Sequence, residues 1–210
     1  LSERDLADFQ VEWCKPISVN YRGYDVWEIP PNGHGLVTLM ALQLLKGFEF
    51  TGRDTAQTYH RQIEAIKLAF ADGFANIADP AHMRVSVADL LSDAYADERR
   101  RLIGERAALP LAGDPPRGGT VYLAAADSEG NMVSFIQSNY MGFGSGCVEP
   151  TFGVSLQNRG HGFSLDAKGL NPANLVAPSK RPFHTIIPAF LSKDGQPVMS
   201  YGVMGANMQP

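Results

Sequence analysis

Arg117-Gly118-Gly119-Thr120-Val121 is the stretch of this 210-residue chain whose residue types and order point most directly to chemistry. A hydroxyl is a weak nucleophile until a base stands beside it. One solution makes the nucleophile the first residue of a chain, so that its own α-amino group takes the proton. Such a residue has to be released by a cut in front of it. Two glycines that permit a strained backbone, followed by a Thr at the start of a predicted strand, supply the parts for that. The same tripeptide also serves as a plain turn feeding a β-branched residue into a sheet. Gly142-Phe143-Gly144-Ser145-Gly146 is a second Gly-rich stretch, but it has neither the following Lys nor the helix that a phosphate-binding loop of a nucleotide module uses.

The elements that must position Thr120 divide at that same point. From Pro30 to about Ile103 the apolar spacing is helical. Leu36, Leu39, Met40, Leu42 and Leu44 predict one helix that stops at Gly47. Tyr59, Ile63, Ile66, Phe70 and Phe74 predict a second, from Asp54 or Thr55 to the Asp79-Pro80 pair. Val87 through Leu102 predicts a third. Gly104 to Gly119 is rich in Pro and Gly and reads as a linker. Beyond it the period becomes that of strands, at Val121 to Ala126 and Met132 to Gln137, joined by a loop from Asp127 to Asn131. Further strands are expected at Val154 to Leu156, His184 to Leu191 and Val198 to Val203, the last two joined by Lys193-Asp194-Gly195. Helices first and a meander of strands after them indicate an α+β protein rather than alternating βαβ units.

The segment from Thr120 to Asn158 resembles the start of the small subunit of gamma-glutamyltransferases. The shared pattern is Thr120, Asp127, Gly130-Asn131, Phe143-Gly144-Ser145-Gly146 and Leu156-Gln157-Asn158, followed by Pro178-Ser179-Lys180-Arg181-Pro182, Asp194-Gly195 and the Gly-rich Gly202 to Ala206. Pro30-Pro31-Asn32-Gly33, the Glu64 to Phe70 segment and Asp79-Pro80 resemble the end of the large subunit. The resemblance implies a self-processing amidohydrolase or acyltransferase of the N-terminal-nucleophile class, acting on γ-glutamyl or glutaryl-type amides such as glutathione-like substrates and cut between Gly119 and Thr120. Residues 1–119 are then the helical end of a large subunit and 120–210 the strand-rich start of a small one. Both would be part of a four-layer α-β-β-α fold. The implied partners are a small-molecule amide, water or an amine acceptor, and the remainder of the two subunits; no cofactor is called for. An inactive precursor or fragment is the alternative, because the family's substrate-binding Arg would lie upstream of Leu1 and the chain reads as the middle of a longer protein.

The resemblance assigns roles residue by residue. Thr120 is the nucleophile and Ser138, in place of a family Thr, its hydrogen-bonding neighbour, although a polar residue on a hairpin strand needs no such role. Gly205 and Ala206 stand where a Gly-Gly pair offers backbone N–H groups to the oxyanion, which Ala206 can still do if its angles suit an L-residue. Tyr140, Asn158, Arg159, His161, His184 and Thr185 fall at substrate-contacting positions. Several depart from the family: Tyr140 replaces an Asn, His184-Thr185 replace two serines, and Gly162 replaces the Asp that pairs with the substrate ammonium. Arg159 and His161 offer positive charge instead, which suits an acyl group bearing a carboxylate and no amine, such as glutaryl. As a strand residue His184 could equally be structural, with no metal partner near it in sequence.

Composition narrows the classes further. The chain is 44% apolar and 19% charged with a net charge of -4, ordinary for a globular protein and without a basic run for nucleic acid or an anionic membrane. Arg99, Arg100 and Arg101 are offset by Asp97, Glu98 and Glu105. Cys14 and Cys147, far apart and without a CxxC, indicate neither a disulfide framework nor a structural zinc, and read as two buried thiols. The longest apolar stretch, Leu36 to Leu45, is too short to span a bilayer.

Overall fold

The computed structural model of the chain describes residues 2–108 and 119–210. A short α1 (Glu3–Ala7) precedes a β-hairpin, β1 (Ile17–Tyr21) and β2 (Tyr24–Glu28), turned by Arg22 and Gly23 at φ 54° and 87°. Two consecutive positive-φ residues match the right-handed twist of the strands they join. Helix α2 (Gly35–Leu45) follows and is buried nearly all round, as its almost unbroken apolar sequence requires. Helix α3 (Ala56–Asn76) is capped by Thr55, whose Oγ1 accepts the Thr58 N–H at 3.1 Å. It lays Ala65, Ala69 and Gly73 toward the core; a Cβ on Gly73 would lie 2.6 Å from Val37, so only Gly lets the two helices approach this closely.

The third predicted helix is two helices, α4 (Val87–Leu90) and α5 (Asp93–Arg100). The break is local, because the Ser92 hydroxyl accepts the Tyr95 N–H and starts a new helix there. Of the predicted linker, residues 109–118 lie outside the described residues.

Strands β3 (Gly119–Ala126) and β4 (Met132–Tyr140) form an antiparallel ribbon in which Thr120 pairs with Ser138 and Tyr122 with Ile136. Asp127 Oδ1 accepts the Glu129 and Asn131 N–H groups at 2.9 Å each, closing the loop that the sequence predicts. A small pair, β5 (Val148–Glu149) and β6 (Val154–Ser155), comes next, and then β7 (Ala189–Lys193) and β8 (Gln196–Tyr201) around Asp194-Gly195. The expected strand at His184 starts only at Ala189; before it, His184 makes a single bridge to Gly33. Both cysteines are exposed rather than buried.

The order of helices before strands needs correction. The β1–β2 hairpin precedes every long helix and β2 pairs with β7, giving one antiparallel sheet in the order β1-β2-β7-β8. Strands from both sides of Thr120 therefore share hydrogen bonds. The β3–β4 ribbon packs one face on β8: the Tyr122 hydroxyl lies 2.9 Å from that of Ser134, which donates to the Tyr201 carbonyl at 3.3 Å.

Glu28 ends β2 only 2% exposed, its Oε2 without a hydrogen-bond partner among the described residues. Burial raises its pKa from 4.5 to about 8. Between those values the unfolded chain has released this proton and the folded chain has kept it, so the group lowers stability progressively as pH rises through that window. Glu28→Gln is expected to equal the parent in urea unfolding at pH 4.5 and to exceed it by about 2–4 kcal/mol at pH 8. Equal midpoints at both pH values would show the carboxyl to be ordinary.

Candidate active site

Thr120 stands at the start of regular pairing in β3, just past an irregularity in register at Gly119. Its Oγ1 donates to Ser138 Oγ at 3.2 Å, and the same Ser138 oxygen accepts the Tyr140 N–H at 2.9 Å. The two strands thus bring together the pair of hydroxyls that the sequence singles out. Tyr140 closes β4 at φ 77°, a left-handed conformation that costs a non-glycine residue about 1–2 kcal/mol. Such strain persists only where the surroundings impose it. Here Asn139 is an extra residue between the Thr120–Ser138 and Gly119–Tyr140 pairs, and Tyr140 is buried with the Arg159 guanidinium over its ring.

That segment is the 3₁₀ turn Arg159–Gly162. Asn158 Oδ1 accepts the Met141 N–H at 3.1 Å, tying the turn to the end of β4. The Arg159 guanidinium lies 4.4 Å from the Tyr140 ring centroid and donates to Thr185 Oγ1 at 2.8 Å. The Tyr140 hydroxyl lies 3.3 Å from His161 Nδ1. Tyr140, Arg159, His161 and Thr185 all line a cavity of about 440 Å³, together with Gly162, Asn207 and a wall that includes Phe74 and Phe183. No Asp or Glu lines it among the described residues. The other sequence-derived positions stand off its wall: Thr120 and Ser138 on the ribbon that leads to Tyr140, Asn158 beneath the turn, and His184, which pairs its backbone with Asn32 and His34.

Electrostatically the cavity has one dominant charge. Arg159 is 3% exposed and its Nε has no partner among the described residues. Desolvation lowers its pKa to about 10, which leaves it cationic at neutral pH. Burial, reinforced by the Arg159 charge, lowers His184 to about 4. Burial and the charges of His184 and Arg159 lower His34 to about 3, so both histidines are neutral near pH 7. Two polar atoms of the cavity wall, Arg159 Nε and Asn171 Oδ1, have no hydrogen-bond partner among the described residues. A buried cation with an unpaired N–H is arranged to receive an anion.

Gly205 and Ala206 begin the 3₁₀ turn that carries Asn207 to the cavity, and Gln209 at its end donates to the Thr185 carbonyl. Ala206 has φ 49°, so the alanine sits in the left-handed region where glycine costs least, rather than at ordinary L-residue angles. Sequence reading missed Asn207, Asn171, Asn174, Phe74 and Phe183. Only Asn207 carried a signal, as the residue directly after Gly205-Ala206.

Comparison with known proteins covers the whole chain. Residues 1–210 match the family model described as Gamma-glutamyltranspeptidase. The chain is 41% identical over 208 residues to the glutathione hydrolase-like YwrD proenzyme of Bacillus subtilis (strain 168), spanning 98% of this chain and 39% of that protein. It is 40% identical over 208 residues to the oxamate amidohydrolase proenzyme of Klebsiella pneumoniae, spanning 98% and 39%. The crystal structure of cephalosporin acylase from Bacillus halodurans superposes with a TM-score of 0.91 at 59% identity, covering 100% of this chain and 38% of that one. The chain thus spans about two fifths of the length of these relatives.

Proposed function

Because this chain belongs to the gamma-glutamyltranspeptidase family, we propose that it carries the self-cleavage site and the nucleophile of an N-terminal-nucleophile amidohydrolase. The observation that carries this reading is the Thr120 hydroxyl, held 3.2 Å from Ser138 Oγ at the second residue of β3, directly after Gly118-Gly119. In the precursor Thr120 Oγ1 attacks the Gly119 carbonyl carbon. The peptide C–N bond breaks as the ester forms, and the nitrogen becomes the Thr120 α-amine. Water then hydrolyses the ester, leaving a Gly119 carboxylate and a free Thr120 hydroxyl. Residues 1–119 and 120–210 become parts of two subunits, held together by the β2–β7 pairing. With the rest of both subunits they build the four-layer α-β-β-α arrangement.

In the mature protein the α-amine of Thr120 takes the hydroxyl proton as Oγ1 attacks a substrate amide. The N–H groups of Gly205 and Ala206 receive the oxyanion, and Ser138 steadies the nucleophile. The proton goes to the departing amine, and the acyl ester on Thr120 passes to water or to an acceptor amine. These activities belong to the full-length protein.

Charge supports an acyl group that carries a carboxylate and lacks an α-ammonium. Arg159 offers the guanidinium for it, with Thr185 and Tyr140 fixing its direction. Among the described residues no Asp or Glu lines the cavity to face an ammonium, and a Cβ at Gly162 would lie 2.8 Å from the Phe183 carbonyl, so an Asp there needs a backbone shift. Oxamate, named for the Klebsiella relative, is itself a carboxylate without an ammonium. Steady-state kcat/KM of the full-length processed protein is expected to favour glutaryl over γ-glutamyl p-nitroanilide by at least about tenfold, the factor for a difference of about 1.4 kcal/mol. A preference for the γ-glutamyl anilide would sink this assignment.

A further inference from the structure

His60, Glu64 and Lys67 recur at i, i+4 and i+7 on one face of α3, and each holds the main chain that leads toward the scissile bond. His60 Nε2 lies 2.7 Å from the Gly104 carbonyl. Glu64 Oε2 accepts the Ala108 N–H at 3.1 Å, and the Lys67 ammonium donates both to Glu64 Oε1 at 2.6 Å and to the Ala108 carbonyl. Both main-chain polar groups of Ala108 are therefore taken by side chains of a helix some forty residues earlier. Glu64 is only 3% exposed. Desolvation pushes its carboxyl up, but the Lys67 and Ala108 hydrogen bonds outweigh it and hold the group ionised, below the ordinary range.

A buried ion pair is a poor device for stability alone, since apolar residues of the same volume often do as well. What an apolar pair cannot do is fix a stretch of main chain that lies outside any helix or strand. We propose that Glu64 and Lys67 are positioning residues for the cut at Gly119-Thr120: they set the point and direction from which the chain leaves the helical layer toward the scissile bond. This rests on the reading of Thr120 as the nucleophile. The effect is one of orientation, because a misaligned carbonyl reacts slowly however close it is held to its nucleophile.

The test follows self-cleavage of the full-length precursor over time by denaturing electrophoresis, in the parent and in Glu64→Gln, Lys67→Met and Ala108→Pro. Ala108→Pro removes the N–H that Glu64 accepts while leaving α3 untouched, so it separates the clamp from any role of Glu64 in folding. The expected result is a cleavage half-time lengthened about fivefold or more in Glu64→Gln and in Ala108→Pro, with kcat/KM per cut molecule unchanged within about twofold. Parental cleavage rates in Ala108→Pro overturn the proposal. So does a fall in turnover per cut molecule that parallels the fall in cleavage, which is the mark of a generally disturbed helix. A parent that is never cut overturns the Thr120 reading and this inference with it, whereas a parent that is cut beside variants cut equally fast overturns this inference alone.

Discussion

Thr120→Ala is expected to leave the full-length protein as one uncut chain with no amidase activity, where the parent gives two fragments dividing at Gly119. The methyl side chain removes the hydroxyl proposed to attack the Gly119 carbonyl, and without the cut there is no α-amine to act as base. Both steps fail together, so turnover should fall at least about 10⁴-fold, a loss of about 5–6 kcal/mol of transition-state stabilisation. Folding should be nearly indifferent to the change. Thr120 contributes one hydrogen bond to Ser138 at a partly buried position, worth about 1 kcal/mol. Thr120→Ser keeps the hydroxyl and should still be cut. Intact mass of all three proteins reads the outcome directly, and a single uncut chain in the parent would refute self-processing.

Arg159→Met separates substrate recognition from folding by the sign of two measurements. The guanidinium is buried, faces the cavity and has no carboxylate partner among the described residues, so it is held at a cost in desolvation. Methionine of similar length relieves that cost and keeps apolar contact with the Tyr140 ring; thermal stability should hold or rise. The acyl carboxylate, however, loses its charged partner. kcat/KM for a glutaryl anilide should fall about 10²- to 10³-fold, matching the 2–5 kcal/mol typical of a truncated buried charge pair. Cleavage at Gly119 should continue, since Arg159 takes no part in it. A fall in both melting temperature and self-cleavage would make Arg159 a structural residue instead, and unchanged turnover would remove it from the site.

Short-range features were the legible ones. Helices α2 and α3 follow from apolar spacing and from the Thr55 cap, because helical hydrogen bonds close within four residues. The β3–β4 register follows from strand alternation around the Asp127 loop, and it sets Thr120 opposite Ser138. The break at Ser92 was equally local and could have been read from its N-cap, had the apolar spacing on either side not run on through it.

The amino-acid sequence by itself determined which residue is proposed as the nucleophile, where the proposed cut falls, which hydroxyl stands beside it, and that Gly162 stands where the family resemblance calls for an Asp. All of these are matters of residue identity or of neighbours on one hairpin. Only the tertiary structure decided that β2 crosses to β7, that Tyr140 takes a positive φ and stacks under Arg159, and that Asn207, Phe74 and Phe183 meet around one cavity. The physical reason is range: these contacts join residues far apart in the chain, whose loop-closure entropy is offset only when the whole core assembles, so no local pattern announces them.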